Sequence, residues 1–231
     1  MFSCFKKNII RKKFDKYDEF LFKYLNKSNI KLIDVGAHKG FFVDLINKKM
    51  GVSEAILIEP LEKSFEVLLK KYSNKKGWII LKNVISDKNN KEVKFFINSS
   101  EETSSLLKIK TMEELEDVDT VQKEELVLKT KTLDSICLEN NFNAADLIKI
   151  DVQGAEHLVL KGGAETIKNS KIVWIENSFK PLYEKSSIFN DIYQMMGDLG
   201  FYLAEISPGH KSMRGELLQV DALYINNKYI K

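Results

Sequence analysis

The stretch Lys31–Phe42, KLIDVGAHKGFF, decides the fold of this chain. Its apolar residues between positions 32 and 35 predict a short buried strand. Gly36 and Gly40 then frame a tight turn that leads into a helix. A strand–turn–helix unit of this kind begins an open α/β sheet and forms one wall of its ligand crevice. The turn lets backbone N–H groups and the helix N-terminus face a ligand.

The glycine spacing differs from the fingerprint of dinucleotide-binding proteins. A G-x-G-x-x-G motif starting at Gly36 needs a glycine at position 38, where this chain has His38, and Gly40 comes one position too early to be the third glycine. This pattern disfavours an NAD-dependent dehydrogenase. Asp34, at the strand end, is interpreted as a carboxylate that orients a bound cation or holds the turn.

A second strand, Glu54–Glu59, ends in an acid that is followed by Pro60. Glu59 follows Gly36 by 23 residues. This is close to the roughly 20 residues expected for an acid that binds ribose hydroxyls. The alternative is an ordinary βα unit with a glycine turn.

Length and composition favour one globular domain of 231 residues with a net charge of +3. No apolar run of about 18 residues predicts a transmembrane helix, and the N-terminus does not resemble a secretory signal. Cys4 and Cys137 lack metal-ligand spacing and do not form a disulfide framework, so a cytoplasmic location is expected. No basic–aromatic platform indicates nucleic-acid binding. A basic cluster is interpreted as a solvated helix end, or alternatively as a weak contact with an anionic surface: Lys6, Lys7, Arg11, Lys12 and Lys13.

Helical spacing predicts a helix over residues 14–26, so residues 1–29 form an N-terminal helical segment and residues 30–231 an α/β domain. Alternating strands and helices predict a parallel sheet. The alternation stops at residues 82–132, where a strand at 93–97 precedes a polar insertion near 98–125 and a short strand at 126–130. Residues 207–215 are predicted to be a loop before the last strand.

Polar residues end one predicted strand after another, which is where open α/β sheets bind ligands. Lys149 and Asp151 lie on one face of their strand. Lys149 either pairs with Glu176 or extends its charged end to solvent. His38 and His157 are each either a general base or a surface residue. The spacing of the histidines predicts no metal site, although carboxylates from separate strands remain able to gather Mg²⁺.

Two segments together carry a resemblance to a known family. One is IDVGAHKGFF with ILIEP downstream, and the other is KTKTLDSIC followed by DLIKIDVQGAEHLVLKGGAETI and IVWIEN. The chain resembles the FkbM family of S-adenosylmethionine-dependent methyltransferases over about residues 30–206. The family pattern Lys-Ile-Asp-x-Glu-Gly-x-Glu is matched at Lys149, Asp151, Gly154 and Glu156, while Gln153 replaces the usual Glu.

The resemblance implies a three-layer Rossmann-like methyltransferase fold, with helices on both faces of a mostly parallel seven-stranded sheet whose last strand is reversed. It implies that S-adenosylmethionine lies across the ends of the first three strands and that a small-molecule or carbohydrate hydroxyl is the acceptor. The implied cofactor-binding residues are Asp34, Gly36, Ala37, His38, Gly40, Glu59, Pro60, Ser86, Asp87 and Asp151. Candidate general bases are Asp151, Glu176 and His157, in that order. The alternatives are a non-catalytic scaffold that keeps the fold, and an RNA methyltransferase, which the missing basic stripe disfavours.

Overall fold

The computed structural model describes residues 24–25, 28–110, 121–207, 209–212 and 214–229. The predicted helix over residues 14–26 lies outside this part of the chain except for Tyr24 and Leu25, which are helical. The strands are β1 (Ile30–Val35), β2 (Val52–Ile58), β3 (Trp78–Leu81), β4 (Val84–Ile85), β5 (Glu92–Asn98), β6 (Gln122–Lys131), β7 (Leu147–Ile150), β8 (Ile172–Ser178), β9 (Phe201–Ile206), β10 (His210–Lys211) and β11 (Leu217–Asn226). The helices are α1 (Phe41–Met50), α2 (Glu62–Tyr72), α3 (Leu133–Glu139), α4 (Glu156–Gly162), α5 (Ala164–Lys168) and α6 (Phe189–Asp198).

The main sheet has the strand order β3-β2-β1-β7-β8-β11, and both β9 and β10 pair with β11. In this order, the neighbouring strands β3, β2, β1, β7 and β8 all pair in parallel. β11 runs antiparallel to β8, which confirms the reversed last strand. Among the described residues the sheet has eight strands rather than seven, because His210–Lys211, inside the predicted 207–215 loop, pairs with the beginning of β11.

Two apolar cores flank this sheet and explain its three layers. Every second residue of the strands, for example Leu32, Leu57 and Trp174, is buried on one face of the sheet against α1 and α2. The intervening residues, such as Ile33 and Ile150, face the core that α3, α4, α5 and α6 cover. Within the described ranges, no helix is both long and apolar enough to cross a bilayer.

The region in which the alternation stops, residues 82–132, contains a second, three-stranded sheet in the order β4-β6-β5. β5 and β6 form an antiparallel pair over most of their length, and β6 is ten residues long, whereas the sequence predicted a strand only at 126–130. The first four residues of β6, residues 122–125, are all exposed and polar, so they lack the apolar alternation that predicts a strand, which begins only at Leu126. A small core of Leu61, Val84 and Phe95 joins this sheet to the main domain.

Gly36 connects β1 to the first turn under two constraints that no other residue type meets. Its φ angle is +81°, and a Cβ atom there would lie 1.9 Å from the backbone oxygen of Asp151. The left-handed conformation costs a non-glycine residue about 1–2 kcal/mol, and overpacking adds about 1–3 kcal/mol.

We expect Gly36→Ala to lower the free energy of unfolding by at least about 2 kcal/mol. Gly197→Ala is the matched control, because Gly197 lies in α6 and a Cβ atom added there would meet nothing within 4 Å. That variant should be neutral or more stable by about 0.5–1 kcal/mol. Urea unfolding of both variants measures the difference, and equal stability would contradict the close approach at Gly36.

Candidate functional site

The first turn is held in place by its backbone N–H groups, which donate to β2 and to Glu59. The N–H groups of Gly36 and Ala37 both donate to the carbonyl of Ile58, at 3.0 Å. The N–H of His38 donates to Glu59 Oε2 at 2.8 Å, and His38 adopts a φ of +46°. Each of these three amides thus has a hydrogen-bond partner within the protein. The N-terminus of α1 and the surface of the turn remain for ligand contact.

Glu59 joins the first turn to the beginning of α2. Besides His38, it accepts a bond from the N–H of Leu61 through Oε1 at 2.9 Å. The carboxyl group is 5% exposed, and burial raises the pKa of Glu59 to about 7. Each carboxylate oxygen can accept more than one hydrogen bond, so a ligand hydroxyl can still be accommodated. Pro60 lies in the connection between Glu59 and α2.

Lys149 lies at the centre of the crevice, with its side chain 12% exposed. Its Nζ donates to the carbonyl of Gly36 at 2.9 Å and lies 3.4 Å from Asp34 Oδ1 and 3.3 Å from Asp151 Oδ2. Burial acts to lower the pKa of Lys149, but attraction to Asp151 and Asp34 outweighs it and raises the pKa. The sequence left open whether Lys149 pairs with Glu176 or extends to solvent, and its ion-pair partners are instead Asp34 and Asp151.

Asp34 holds the turn through Lys149. Its side chain is fully buried, and neither carboxylate oxygen has a hydrogen-bond partner among the described residues. Burial raises the pKa of Asp34, while Lys149 acts to lower it. The ion pair with Lys149 is therefore the interaction that compensates this buried carboxylate.

Gln153 connects the two leading candidates for a general base. Its Nε2 donates to Asp151 Oδ1 at 2.7 Å and to Glu176 Oε2 at 2.9 Å. The Tyr183 hydroxyl lies 3.0 Å from Gln153 Oε1. Gln219 Nε2 also donates to Glu176 Oε2, at 3.0 Å. The structure thus brings together Asp151 and Glu176, as the ends of adjacent parallel strands predict.

Glu156 has a structural task next to this group. Its Oε1 accepts bonds from the N–H groups of Val152 and Gly154, each at 3.1 Å, and so closes the turn after β7. Burial raises the pKa of Glu156 to about 7.

The histidines lie apart from each other. Burial and the nearby Lys39 lower the pKa of His38, whose Nε2 is buried without a hydrogen-bond partner in the part of the chain that the structure describes. Burial also lowers the pKa of His157 on α4, and the charges that act on it most come from Lys161 and Asp191. The structure therefore places His157 beside α6, outside the group formed by Asp151 and Glu176.

Ser86 and Asp87 follow β4 and lie next to α4. Ser86 Oγ donates to Asp87 Oδ1 at 3.1 Å, and a Cβ atom on Gly162 would lie 2.1 Å from the Ser86 carbonyl oxygen. A cavity of about 260 Å³ adjoins Ser86 between α4, β5 and residues 106–107. Its other lining residues are two lysines and four apolar side chains: Lys91, Lys94, Val93, Leu106, Leu107 and Leu158.

Residues 99–110, which we call the strap, cross the carboxyl ends of the strands. At one end Glu101 lies 3.4 Å from Lys39 Nζ. At the centre Ser105 Oγ donates to the Gln153 carbonyl at 2.7 Å. At the other end Lys110 N–H donates to the Leu182 carbonyl at 2.9 Å. The first half of the predicted insertion therefore lies over the crevice.

Sequence reasoning missed three residues of this site: Ser105, Tyr183 and Gln219. Ser105 lay in a polar run without periodicity, and Tyr183 lay in an irregular segment between β8 and α6. Gln219 faces Glu176 only because β11 is antiparallel to β8, with Gln219 paired to Ser178. The departure from the family pattern at Gln153 was the one available signal for this group.

Across residues 28–110, 121–207 and the shorter described stretches, no group of three or more His, Cys, Asp or Glu side chains is arranged to hold a metal ion.

Comparison with known families gives one match that covers most of the chain. The family model described as the methyltransferase FkbM domain matches residues 34–203. The curated 2-O-methyltransferase NoeI of Sinorhizobium fredii (strain NBRC 101917 / NGR234) is 42% identical over 57 residues, which are 25% of this chain and 24% of that protein.

Solved structures share the fold at low sequence identity. The methyltransferase FkbM of Methylobacillus flagellatus KT has a TM-score of 0.54 at 17% identity, over 84% of this chain and 43% of that chain. The magnesium protoporphyrin IX methyltransferase (ChlM) of Synechocystis PCC 6803, solved with bound SAM, has a TM-score of 0.50 at 11% identity, over 95% of this chain and 83% of that chain. The chain thus spans less than half the length of the FkbM structure, and its match to NoeI covers about a quarter of that protein.

Glu156 predicts a pH dependence of stability. Its folded pKa of about 7 lies above the ordinary 4.5, so between these values the folded protein holds the proton more tightly than the unfolded chain. The stability that Glu156 adds by holding this proton is fully present below about pH 4.5 and is lost as the pH rises to about 7. Glu156→Gln keeps the accepting oxygen without a charge.

We therefore expect the variant to gain stability relative to the wild type as the pH rises, by on the order of 2 kcal/mol between pH 4.5 and 7. Urea unfolding across this range is the measurement. Glu184→Gln, at an exposed position, is the control and should follow the wild-type curve. Parallel curves for Glu156→Gln and the wild type would contradict the assignment.

Proposed function

Because the chain belongs to the FkbM methyltransferase family, we propose that it transfers a methyl group from S-adenosylmethionine to a hydroxyl of a sugar, a glycan or another small hydroxylated acceptor. S-adenosylmethionine is the methyl donor of this family and is the cofactor of this chain. The observation that carries the proposal is the pair of carboxylates, Asp151 and Glu176, held together by Gln153 at the ends of β7 and β8. The local match to the 2-O-methyltransferase NoeI supports oxygen as the accepting atom.

The charges of the crevice fit this cofactor. The carboxyl groups of Asp34, Asp151 and Glu176 lie near one buried ammonium group, that of Lys149. An excess of negative charge attracts a sulfonium cation, and low-dielectric walls strengthen that attraction. Bound at this edge of the sheet, S-adenosylmethionine supplies a methyl group already activated by the sulfonium charge.

We assign the contacts with S-adenosylmethionine from the position of each residue around the crevice. Gly36, Ala37, His38 and Gly40 form the surface of the turn, and Glu59 accepts bonds from the ribose hydroxyls. Ser86 and Asp87 contact the adenine, and the apolar residues that line the cavity beside Ser86 support a flat, apolar group nearby. Asp34 acts through Lys149, which fixes the Gly36 carbonyl.

The protein's task in the reaction is to position an acceptor hydroxyl and to take its proton. Alignment of two reactants supplies roughly 7–11 kcal/mol in well-oriented cases. Asp151 is the proposed base, since it lies at the strand end and is oriented by Lys149 and Gln153. Glu176 is the next candidate, and His157 is third because it faces α6. The strap excludes water when it lies over the strand ends.

Binding of S-adenosylmethionine is the first test, by calorimetric titration with NAD as the control ligand. Glu59→Ala removes acceptors for two backbone N–H groups and for the ribose, so we expect about 10–100-fold weaker binding. Glu54→Ala is the matched control, because Glu54 pairs with Lys31 on the partly exposed side of β2. Equal affinity in the Glu59 and Glu54 variants would remove the ribose assignment.

Methyl transfer is the second test, with labelled S-adenosylmethionine and a panel of sugar and other hydroxyl acceptors. We expect Asp151→Asn to reduce the rate by about 10²–10⁴-fold, which is the usual value of a general base. The exposed Asp198→Asn is the control and should retain the wild-type rate. Tight cofactor binding without transfer to any acceptor would instead favour the scaffold alternative.

A further inference from the structure

The amide of Gln153 is placed between two carboxylates that lie close together. Its two N–H bonds are directed at different residues, 2.7 Å from Asp151 Oδ1 and 2.9 Å from Glu176 Oε2. An amide nitrogen has two hydrogens to donate, so each carboxylate receives one. No proton has to be shared between the carboxylates for them to coexist.

Two contacts hold Gln153 in this position, and its backbone conformation is unusual. Its backbone adopts a φ of +58°, which is uncommon for a residue other than glycine. Ser105 Oγ of the strap donates to its carbonyl at 2.7 Å, and the Tyr183 hydroxyl lies 3.0 Å from its Oε1. Reversing the amide would point an oxygen at two carboxylates, so the two acids fix which end faces them.

The charged and polar groups around this pair come from β1, β7, α4 and β11 and from the segment that contains Tyr183. Lys149 on β7 lies 3.3 Å from Asp151 Oδ2 and also pairs with Asp34 on β1. Burial raises the pKa of Glu156 on α4 and of Tyr183, and the nearby charge of Asp151 raises both further, while Gln219 on β11 donates to Glu176. One ammonium group thus faces several carboxyl groups. Two carboxylates without a donor between them tend to retain a shared proton.

We propose that Gln153 is a positioning residue that keeps Asp151 and Glu176 ionised together and fixed side by side. The inference rests on the proposed function, because an ionised Asp151 is then ready to accept the acceptor's proton. A carboxyl group at position 153 would bind a proton shared with its two neighbours, and that proton would have to leave before Asp151 could act as a base. The amide therefore extends the working range of the site toward lower pH.

The experiment compares Gln153→Glu with Gln194→Glu, which adds the same charge at an exposed position on α6. Carboxyl carbon-13 NMR titration of the full chain follows Asp151 and Glu176 without cofactor or acceptor. In Gln153→Glu we expect at least one carboxyl of the group to titrate about one pH unit or more above its wild-type midpoint. The control should leave both midpoints unchanged. Tyr183→Phe, which removes the hydroxyl beside Gln153 Oε1, should give a smaller shift in the same direction and serves if the first variant does not fold.

The pH profile of methyl transfer is the second measurement. The pH at which the rate falls to half on the acid side should be higher in Gln153→Glu than in the wild type, by the same shift that NMR gives for the carboxyl midpoint. Unchanged midpoints for Asp151 and Glu176 in a folded Gln153→Glu protein would overturn the inference. Shifted midpoints in a protein that transfers no methyl group would support the role of Gln153 in ionisation and would count against the proposed function alone.

Discussion

The ion pair between Lys149 and Asp34 is the interaction on which the crevice depends. Asp34 is fully buried in the central strand, so its charge is tolerated only with a partner nearby. Lys149 also binds the Gly36 carbonyl and pairs with Asp151. One ammonium group thereby ties the glycine turn after β1 to the strand end of β7, where the proposed base lies. Removing it would leave the buried Asp34 without its ion pair and would take a cation away from Asp151.

The acids of the crevice divide into two kinds. Glu59 and Glu156 are buried, accept bonds from backbone N–H groups, and shape the turns after β2 and β7. Asp151 and Glu176 are instead held by side-chain amides and an ammonium group. Glu59 and Glu156 are thus tied to the backbone of two turns, whereas Asp151 and Glu176 contact polar side chains at the strand ends, where the proposed proton acceptor lies.

Sequence reasoning identified the parts of the site that depend on local pattern. The glycine turn, the acid after β2 and the shared face of Lys149 and Asp151 follow from periods of two residues and from turn chemistry. The partners of Lys149 and the position of Gln219 depend on which strands become neighbours, and a single sequence does not encode this locally. The sequence predicted too short a strand for β6, because most of the exposed residues of this strand are charged or polar. It did not predict β10, because two residues are too few to show a period.

The position of β1 has a consequence for the growing chain. β1 lies between β2, which follows directly, and β7, whose Lys149 comes 113 residues after Gly36. At about 5–20 residues per second, on the order of 10 s of synthesis separate the two. During that time the nascent sheet has an unpaired apolar edge and an uncompensated Asp34. Protection from aggregation is therefore needed most during translation, before the second half of the chain has left the ribosome.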